Sequence, residues 1–252
     1  MKSQKKTYIT KNGKKIIYNY LEGGERFLIF LGGFMSDREG TKALFFEKYC
    51  EENRYSYIRF DYLGHGESDQ EFTSCTINTW LGNVLEIINN LTEGKVTLIG
   101  SSLGGWLMSL AAKKVPEKIY ALIGIASAPD FTEDLIWGSL SKSEQEQLEK
   151  NNIYHAPACD DEMDPYPITM DLIKSGRENF ILNNTSDLDI GNIPIRLFHG
   201  MNDIDVPYEC SIKLAKKFTS SDIEITLIKN GDHRLSDNKT LSLISDSLNK
   251  IF

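Results

Sequence analysis

The sequence predicts an α/β fold: a mostly parallel sheet of eight strands, flanked by helices, with a helical cap inserted over the sheet's C-terminal edge. Three observations carry this expectation. Short runs of Ile, Val, Leu and Phe recur along the chain with little alternation of apolar and polar residues, as parallel strands covered on both faces require. Amphipathic stretches of helical length separate those runs, in the order that builds crossover connections. That order fails over residues 130–191, a span too long for a plain loop.

Taken from the N-terminus, residues 8–20 read as two strands around Asn12-Gly13, a pair that favours a hairpin turn. Apolar runs follow at 27–31, 57–60, 96–99, 119–126 and 195–198. Residues 222–228 alternate more and suit an edge strand, which completes the eight. Helical patterns at 40–53, 76–91, 103–115, 208–218 and 238–251 supply the crossovers. The stretch 130–191 has no clear strand; it contains Trp137, an acidic patch (Asp160, Asp161, Glu162, Asp164) and Pro165-Tyr166-Pro167, and it reads as a mostly helical cap. No repeat or interdomain linker interrupts the chain, so residues 1–252 are expected to form one domain with the cap inside it.

Composition narrows the function. The chain is 40% hydrophobic and 25% charged, ordinary for a globular protein. A net charge of −8 disfavours a nucleic-acid partner, because phosphate binding rests on concentrated Lys and Arg. The basic N-terminus (Lys2, Lys5, Lys6, Lys11, Lys14, Lys15) is followed by no apolar run of signal-peptide length, and no stretch approaches the roughly 18 apolar residues of a membrane span. A cytoplasmic location is expected. The four cysteines (Cys50, Cys75, Cys159, Cys210) are far apart and form no Cys-x-x-Cys pair, so they read as reduced structural thiols. No metal and no cofactor is expected.

Gly100-Ser101-Ser102-Leu103-Gly104 has the form G-x-S-x-G. The motif is short, and its context gives it meaning. It follows the apolar run 96–99 and opens a helical pattern through Leu103, Leu107, Leu110 and Ala111, the strand–turn–helix setting that lifts a serine Oγ above a sheet. Gly100 and Gly104 leave room where strand and helix backbones nearly touch. The register selects Ser102 as nucleophile, not Ser101.

A serine hydroxyl needs a base to take its proton, and the base needs an orienting carboxylate. Of the four histidines, His233 lies in Asn230-Gly231-Asp232-His233-Arg234, directly after the last strand pattern. His65 belongs to the loop after strand four, His155 to the cap, and His199, closing a strand before Gly200, reads as a structural turn residue. The carboxylate should come from the turn after the strand 195–198. Asp203 sits nearer the strand end, whereas Asp205 suits a helix cap before Pro207, and Asp232 a solvated loop position. Two backbone N–H groups should face the developing oxyanion: Leu103, after the nucleophile, and Phe34, where Gly32-Gly33 let the backbone turn inward.

Together, Gly32-Gly33-Phe34, the stretch Asp61-Tyr62-Leu63-Gly64-His65-Gly66-Glu67-Ser68, the serine turn, the Asp203 turn and His233 resemble the α/β-hydrolase superfamily from end to end. Within it the chain looks like bacterial relatives of the mitochondrial palmitoyl-protein thioesterase that also acts as an acyl-glucuronide esterase. The supporting strings are Gly40-Thr41-Lys42-Ala43-Leu44, Ile58-Arg59-Phe60-Asp61-Tyr62, the eight residues from Ala128 to Leu135, His199-Gly200-Met201 and Gly231-Asp232-His233-Arg234. It departs from those mitochondrial relatives in showing no evident transit peptide. The resemblance implies hydrolysis of an acyl ester or thioester in a small or acylated molecule, without metal or cofactor. A serine aminopeptidase is the alternative, with the acidic patch at 160–164 as a device for a substrate amine. A non-catalytic receptor on the same fold would lack a member of the serine–histidine–aspartate set, and none is missing. The acyl group is expected between sheet edge and cap, with Trp137, Tyr154 and Tyr166 as candidate wall residues.

Overall fold

The computed structural model describes residues 2–156 and 166–252. Cys159, the acidic patch (Asp160, Asp161, Glu162, Asp164) and Pro165 lie outside them. The hairpin forms as expected: β1 (Gln4–Ile9) and β2 (Lys15–Leu21) run antiparallel, with Gly13 at φ 74° in the turn. There follow β3 (Gly24–Leu31), α1 (Thr41–Asn53), β4 (Tyr55–Phe60), α2 (Ile77–Leu91), β5 (Val96–Ser101), α3 (Leu103–Lys114) and β6 (Ile119–Ile125). Beyond the inserted segment lie β9 (Ile195–Gly200), α6 (Glu209–Lys217), β10 (Ile223–Ile228) and α7 (Asn238–Ile251).

These strands make one eight-stranded sheet in the order β1-β2-β4-β3-β5-β6-β9-β10. It is parallel from β4 to β10 and antiparallel only at β1 and β2. The missing polar alternation has its cause in the two covering layers. In β3, Phe27, Ile29 and Leu31 enter the core layer of Trp80 and Ile87 from α2 and Trp106 from α3. Leu28 and Phe30 enter the opposite layer with Phe46 and Cys50 from α1 and Ile244 and Leu248 from α7. Successive side chains point to opposite faces, so both sets must be apolar. On the edge strand β10 the alternation returns, and Ile225 and Leu227 are partly exposed.

Between β6 and β9 the chain forms a π-helical turn (Thr132–Ile136), a 3-10 turn (Trp137–Ser139), α4 (Lys142–Asn151), β7 (Ile153–Ala156), β8 (Tyr166–Thr169) and α5 (Met170–Glu178). The antiparallel pair β7–β8 was not legible in the sequence. Each strand has four residues, too few to establish a period, and Pro167 removes a ladder donor from β8. Helix α4 opens with a reciprocal capping box between Ser141 and Glu144. The segment is anchored to the body at both ends. Asp130, fully buried, accepts the N–H groups of Ile181 and Asn183 at 2.8 Å each, and Asn78 N–H at the start of α2 donates to Ser175 Oγ on α5 at 3.0 Å. Among the described residues no helix is long and apolar enough to cross a membrane.

The tightest backbone approach in this sheet-and-helix arrangement is testable. A Cβ on Gly104 would lie 2.0 Å from the Leu31 carbonyl oxygen, so Gly104→Ala is expected to cost about 3 kcal/mol or to prevent folding. Gly82, on α2, has nothing within 4 Å of its Cβ position, and Gly82→Ala is expected to add about 0.5–1 kcal/mol. Urea unfolding followed by circular dichroism measures both; a Gly104→Ala protein as stable as the parent would contradict the close approach.

Candidate active site

Strand β5 ends at Ser101 and α3 begins at Leu103, leaving Ser102 alone in the turn at φ 54° and ψ −117°. A non-glycine residue holds that conformation only when its surroundings impose it. Here the Ser102 N–H donates to Ile125 O at 2.9 Å, and the Ser102 carbonyl accepts from Gly105 N at 2.9 Å and Ala128 N at 3.1 Å. A Cβ on Gly100 would lie 2.4 Å from Gly104 O, so the turn is open only to glycine on that side.

The loops after β9 and β10 are stitched together. Asn202 N–H donates to Gly231 O at 2.9 Å, and a Cβ on Gly200 would lie 2.2 Å from that same oxygen. This contact brings Asp203 beneath His233. His233 Nδ1 lies 2.7 Å from Asp203 Oδ2, and His233 Nε2 lies 3.1 Å from Ser102 Oγ. With Nδ1 facing a carboxylate, the proton belongs on Nδ1, and Nε2 is the acceptor for the serine hydroxyl. The three residues expected from the sequence therefore meet in one hydrogen-bonded line, although 131 positions separate the serine from the histidine.

Asp203 is fully buried at its side chain. Burial alone would raise its carboxyl; hydrogen bonds from His199, His233 and the Val206 N–H outweigh that and hold it well below the usual carboxylate range. Oδ1 accepts from Val206 N at 2.8 Å and Asp205 N at 3.0 Å. Oδ2 accepts from both histidines, with His199 Nε2 at 3.0 Å.

His199 is therefore more than the turn residue expected from its position. It is completely buried; its Nε2 faces two acceptors, Asp203 Oδ2 and Val206 O, each at 3.0 Å, so that nitrogen carries the proton. Ser211 Oγ, 2.7 Å from Nδ1, fixes the other side of the ring. Asp205 is corrected as well. Helix α6 begins later than its pattern suggested, with Tyr208 at the N-cap and no side-chain cap bond, and Asp205 instead offers its backbone N–H to Asp203. Asp203, Asp205 and His233 present three potential ligand atoms within 4.8 Å of one another. Both oxygens of Asp203 are already taken by N–H donors, so a cation there would have to displace them.

Phe34 and Leu103 lie on either side of the serine. A Cβ on Gly33 would come 3.5 Å from Ser102 Cβ, which places the loop after β3 directly against the Ser102 turn. Neither the Phe34 N–H nor the Leu103 N–H has a hydrogen-bond partner among the described residues. The loop is braced from the Asp61–Ser68 stretch: Met35 N–H donates to His65 Nε2 at 3.2 Å, Arg38 N–H donates to Asp61 Oδ1 at 2.7 Å, and the Arg38 guanidinium pairs with Asp61 and Glu67. His65 is buried, and desolvation lowers its pKa, consistent with an uncharged ring that accepts from Met35.

A cavity of about 390 Å³ opens beside Ser102 and His233. Its walls are the loop after β3 with the start of α1, and the loop after β10. None of the expected wall residues lines it. Tyr154 donates its hydroxyl to Glu144 at 2.5 Å, and Trp137 lies under the Arg177 guanidinium, 4.8 Å from the ring centre. Tyr166 reaches the neighbourhood, with its ring 6.1 Å from that of Phe34. The reason is aromatic packing. Phe34 meets Phe72, Phe131 and Tyr166 edge-on, and these rings occupy the space on the cap side.

The sequence pattern of the α/β-hydrolase fold matches residues 27–158. Over 229 residues, 91% of this chain and 74% of the relative, the chain is 36% identical to the mitochondrial palmitoyl-protein thioesterase ABHD10 of Bos taurus. The chain belongs to the α/β-hydrolase family. Among solved structures, the mouse α/β-hydrolase domain-containing protein 10 superposes with a TM-score of 0.89 at 33% identity, covering 99% of this chain and 100% of that one. A putative hydrolase from Agrobacterium vitis S4 superposes at 0.90 with 30% identity, covering 99% and 98%.

In this hydrolase the sequence exposed Ser102, Asp203 and His233 because each sits in a short motif at a strand end. His199 and Ser211 escaped, since their role depends on a side-chain contact between β9 and α6 that no local pattern encodes. The only available signal was a histidine closing an apolar strand four residues before the aspartate. His199→Phe should remove one charge-assisted hydrogen bond from Asp203 and cost about 2 kcal/mol at pH 7. A carboxyl held low in the folded state stabilises fully above its unfolded value near 4, and that stability is lost as pH falls through the folded pKa. The gap between parent and variant should therefore stay constant from about pH 8 to 5 and close below about pH 4. Urea titrations at stepped pH check this; a gap that widens in acid would contradict the assignment.

Proposed function

We propose that this hydrolase is a serine esterase or thioesterase that works through an acyl-enzyme on Ser102. The observation that carries the reading is the line Asp203–His233–Ser102, with Nε2 3.1 Å from the serine Oγ. Ser102 Oγ attacks the carbonyl carbon of the substrate while its proton passes to His233 Nε2. The carbonyl oxygen becomes an oxyanion facing the N–H groups of Phe34 and Leu103, which need no reorganisation because neither is otherwise engaged. Collapse of the adduct breaks the C–O or C–S bond, and His233 returns the proton to the departing alcohol or thiol. Water then attacks the acyl carbon, gives its proton to His233, and Ser102 leaves reprotonated. Asp203 stays ionised throughout, keeping the histidine proton on Nδ1 and stabilising the imidazolium.

Relatives named as thioesterases support an ester or thioester substrate over an amide. An aminopeptidase would place carboxylates where a substrate amine docks. Among the described residues, which do not include the acidic patch at 160–164, the cavity beside Ser102 instead carries Lys42 and Arg234, with Asp37 as the one acidic residue on its wall.

A fluorophosphonate should label Ser102 stoichiometrically, as read by mass spectrometry of the modified peptide. Ser102→Ala should abolish labelling and lower turnover of an activated ester by roughly 10⁶ if comparable triads are a guide. Asp203→Asn should lower turnover by about 10⁴ through the wrong histidine tautomer, whereas Asp205→Asn should change it little. Full esterase activity in Ser102→Ala would refute the mechanism. Faster cleavage of an aminoacyl amide than of the ester and thioester with the same acyl group would favour the peptidase.

A further inference from the structure

We propose that the part of the cavity between Lys42 and Arg234 is a subsite for a phosphate group carried on the leaving alcohol or thiol of the substrate. The inference rests on the serine-hydrolase reading and extends it to the half of the substrate that departs first.

Position comes from proton transfer. His233 must hand its proton to the leaving atom, so the leaving group lies on the His233 side of Ser102. The cavity beside Ser102 is that side: His233, Arg234 and Ser236 form one wall, and Thr41 and Lys42 face them from the start of α1. On the cap side, Phe34 packs edge-on against Phe72 and Phe131, so that side offers aromatic and not charged contacts among the described residues.

Charge selects the ligand. The chain as a whole carries −8, yet this cavity presents two cations with no ion-pair partner among the described residues. Lys42 Nζ donates to the Arg234 carbonyl at 2.5 Å and to Ser236 Oγ at 3.3 Å. An ammonium has three donors, so one remains for a ligand. Burial pushes the Lys42 pKa down to about 8, with Asp232 pulling it up and Arg234 pushing it further down. An anion placed between the two cations would relieve both the desolvation and their mutual repulsion. Asp37 also lines the cavity, but its Oδ1 already accepts the Glu39 N–H at 2.8 Å. Two cations meeting across the cavity match the double charge of a phosphate monoester, and a guanidinium can grip two of its oxygens at once. The hydroxyls of Thr41 and Ser236 supply further polar lining.

The test uses one acyl group on three leaving groups of similar length: 2-hydroxyethyl phosphate, 3-hydroxypropionate and 2-methoxyethanol. The phosphate ester should show the highest kcat/KM, by about 10-fold or more over the neutral ester, with the carboxylate between them. Lys42→Met and Arg234→Met should each reduce the phosphate-to-neutral ratio about 10-fold, and Lys42→Arg should restore most of it. Because a ratio is read, a general disturbance of the His233 loop cancels. Inorganic phosphate should inhibit cleavage of the neutral ester competitively in the parent and far more weakly in Lys42→Met. The ratio should also decline as pH rises through about 8, where Lys42 loses its charge while Arg234 keeps its own. Equal cleavage of all three esters, a preference for the carboxylate, or equal losses on all three in the variants would overturn the subsite. If no ester is cleaved, or if Ser102→Ala still cleaves them, the serine-hydrolase reading itself fails.

Discussion

A buried, ionised carboxylate is among the most expensive groups a protein can hold, and Asp203 is one. Four hydrogen bonds satisfy it, two on each oxygen, and they come from the backbone of its own turn, from the end of β9 and from the loop after β10. Losing one partner would leave part of that charge without a donor at a side chain that is itself buried. The geometry of the whole C-terminal third follows from that demand. Gly200 and Gly231 must lack side chains for the two loops to meet, and His233 must stand over the carboxylate in the tautomer that leaves Nε2 free.

The serine side is governed by a different constraint, steric and not electrostatic. Strand β3, strand β5 and helix α3 come so close that only glycine fits at positions 100 and 104. That contact forces Ser102 into a conformation with positive φ and aims its hydroxyl at the imidazole. It also places the loop after β3 against Ser102, with the N–H groups of Phe34 and Leu103 unpartnered among the described residues. The buried pair Arg38–Asp61, extended to the exposed Glu67, braces that loop from behind. Preorganisation in this site is thus distributed: polar contacts set His233, and backbone packing sets Ser102.

The asymmetry of the cavity connects both halves to substrate choice. Aromatic rings fill the cap side, and a polar, cationic wall faces His233 on the other. On the proposed ester or thioester reading, a scissile bond at Ser102 would meet aromatic contacts on one side and polar, cationic ones on the other.

Local patterns alone determined much of this protein. Apolar runs located the five inner parallel strands of the large sheet, because both of their faces are covered, while Asn12-Gly13 marked the hairpin and alternation marked the edge strand. Glycines flanking a serine between a strand and a helix located Ser102, and strand-end turns located Asp203 and His233, since each signal lies within a few consecutive residues. What needed the tertiary structure was whatever depends on contacts between segments distant in sequence. The hairpin β7–β8 was too short to show a period. The partnership of His199 with Asp203 and Ser211 arises only when β9 and α6 pack together. The place of the cavity, away from Trp137, Tyr154 and Tyr166, was decided by where the ring of Phe34 comes to rest among its aromatic neighbours, and ring packing is a property of three-dimensional neighbours that sequence spacing does not record.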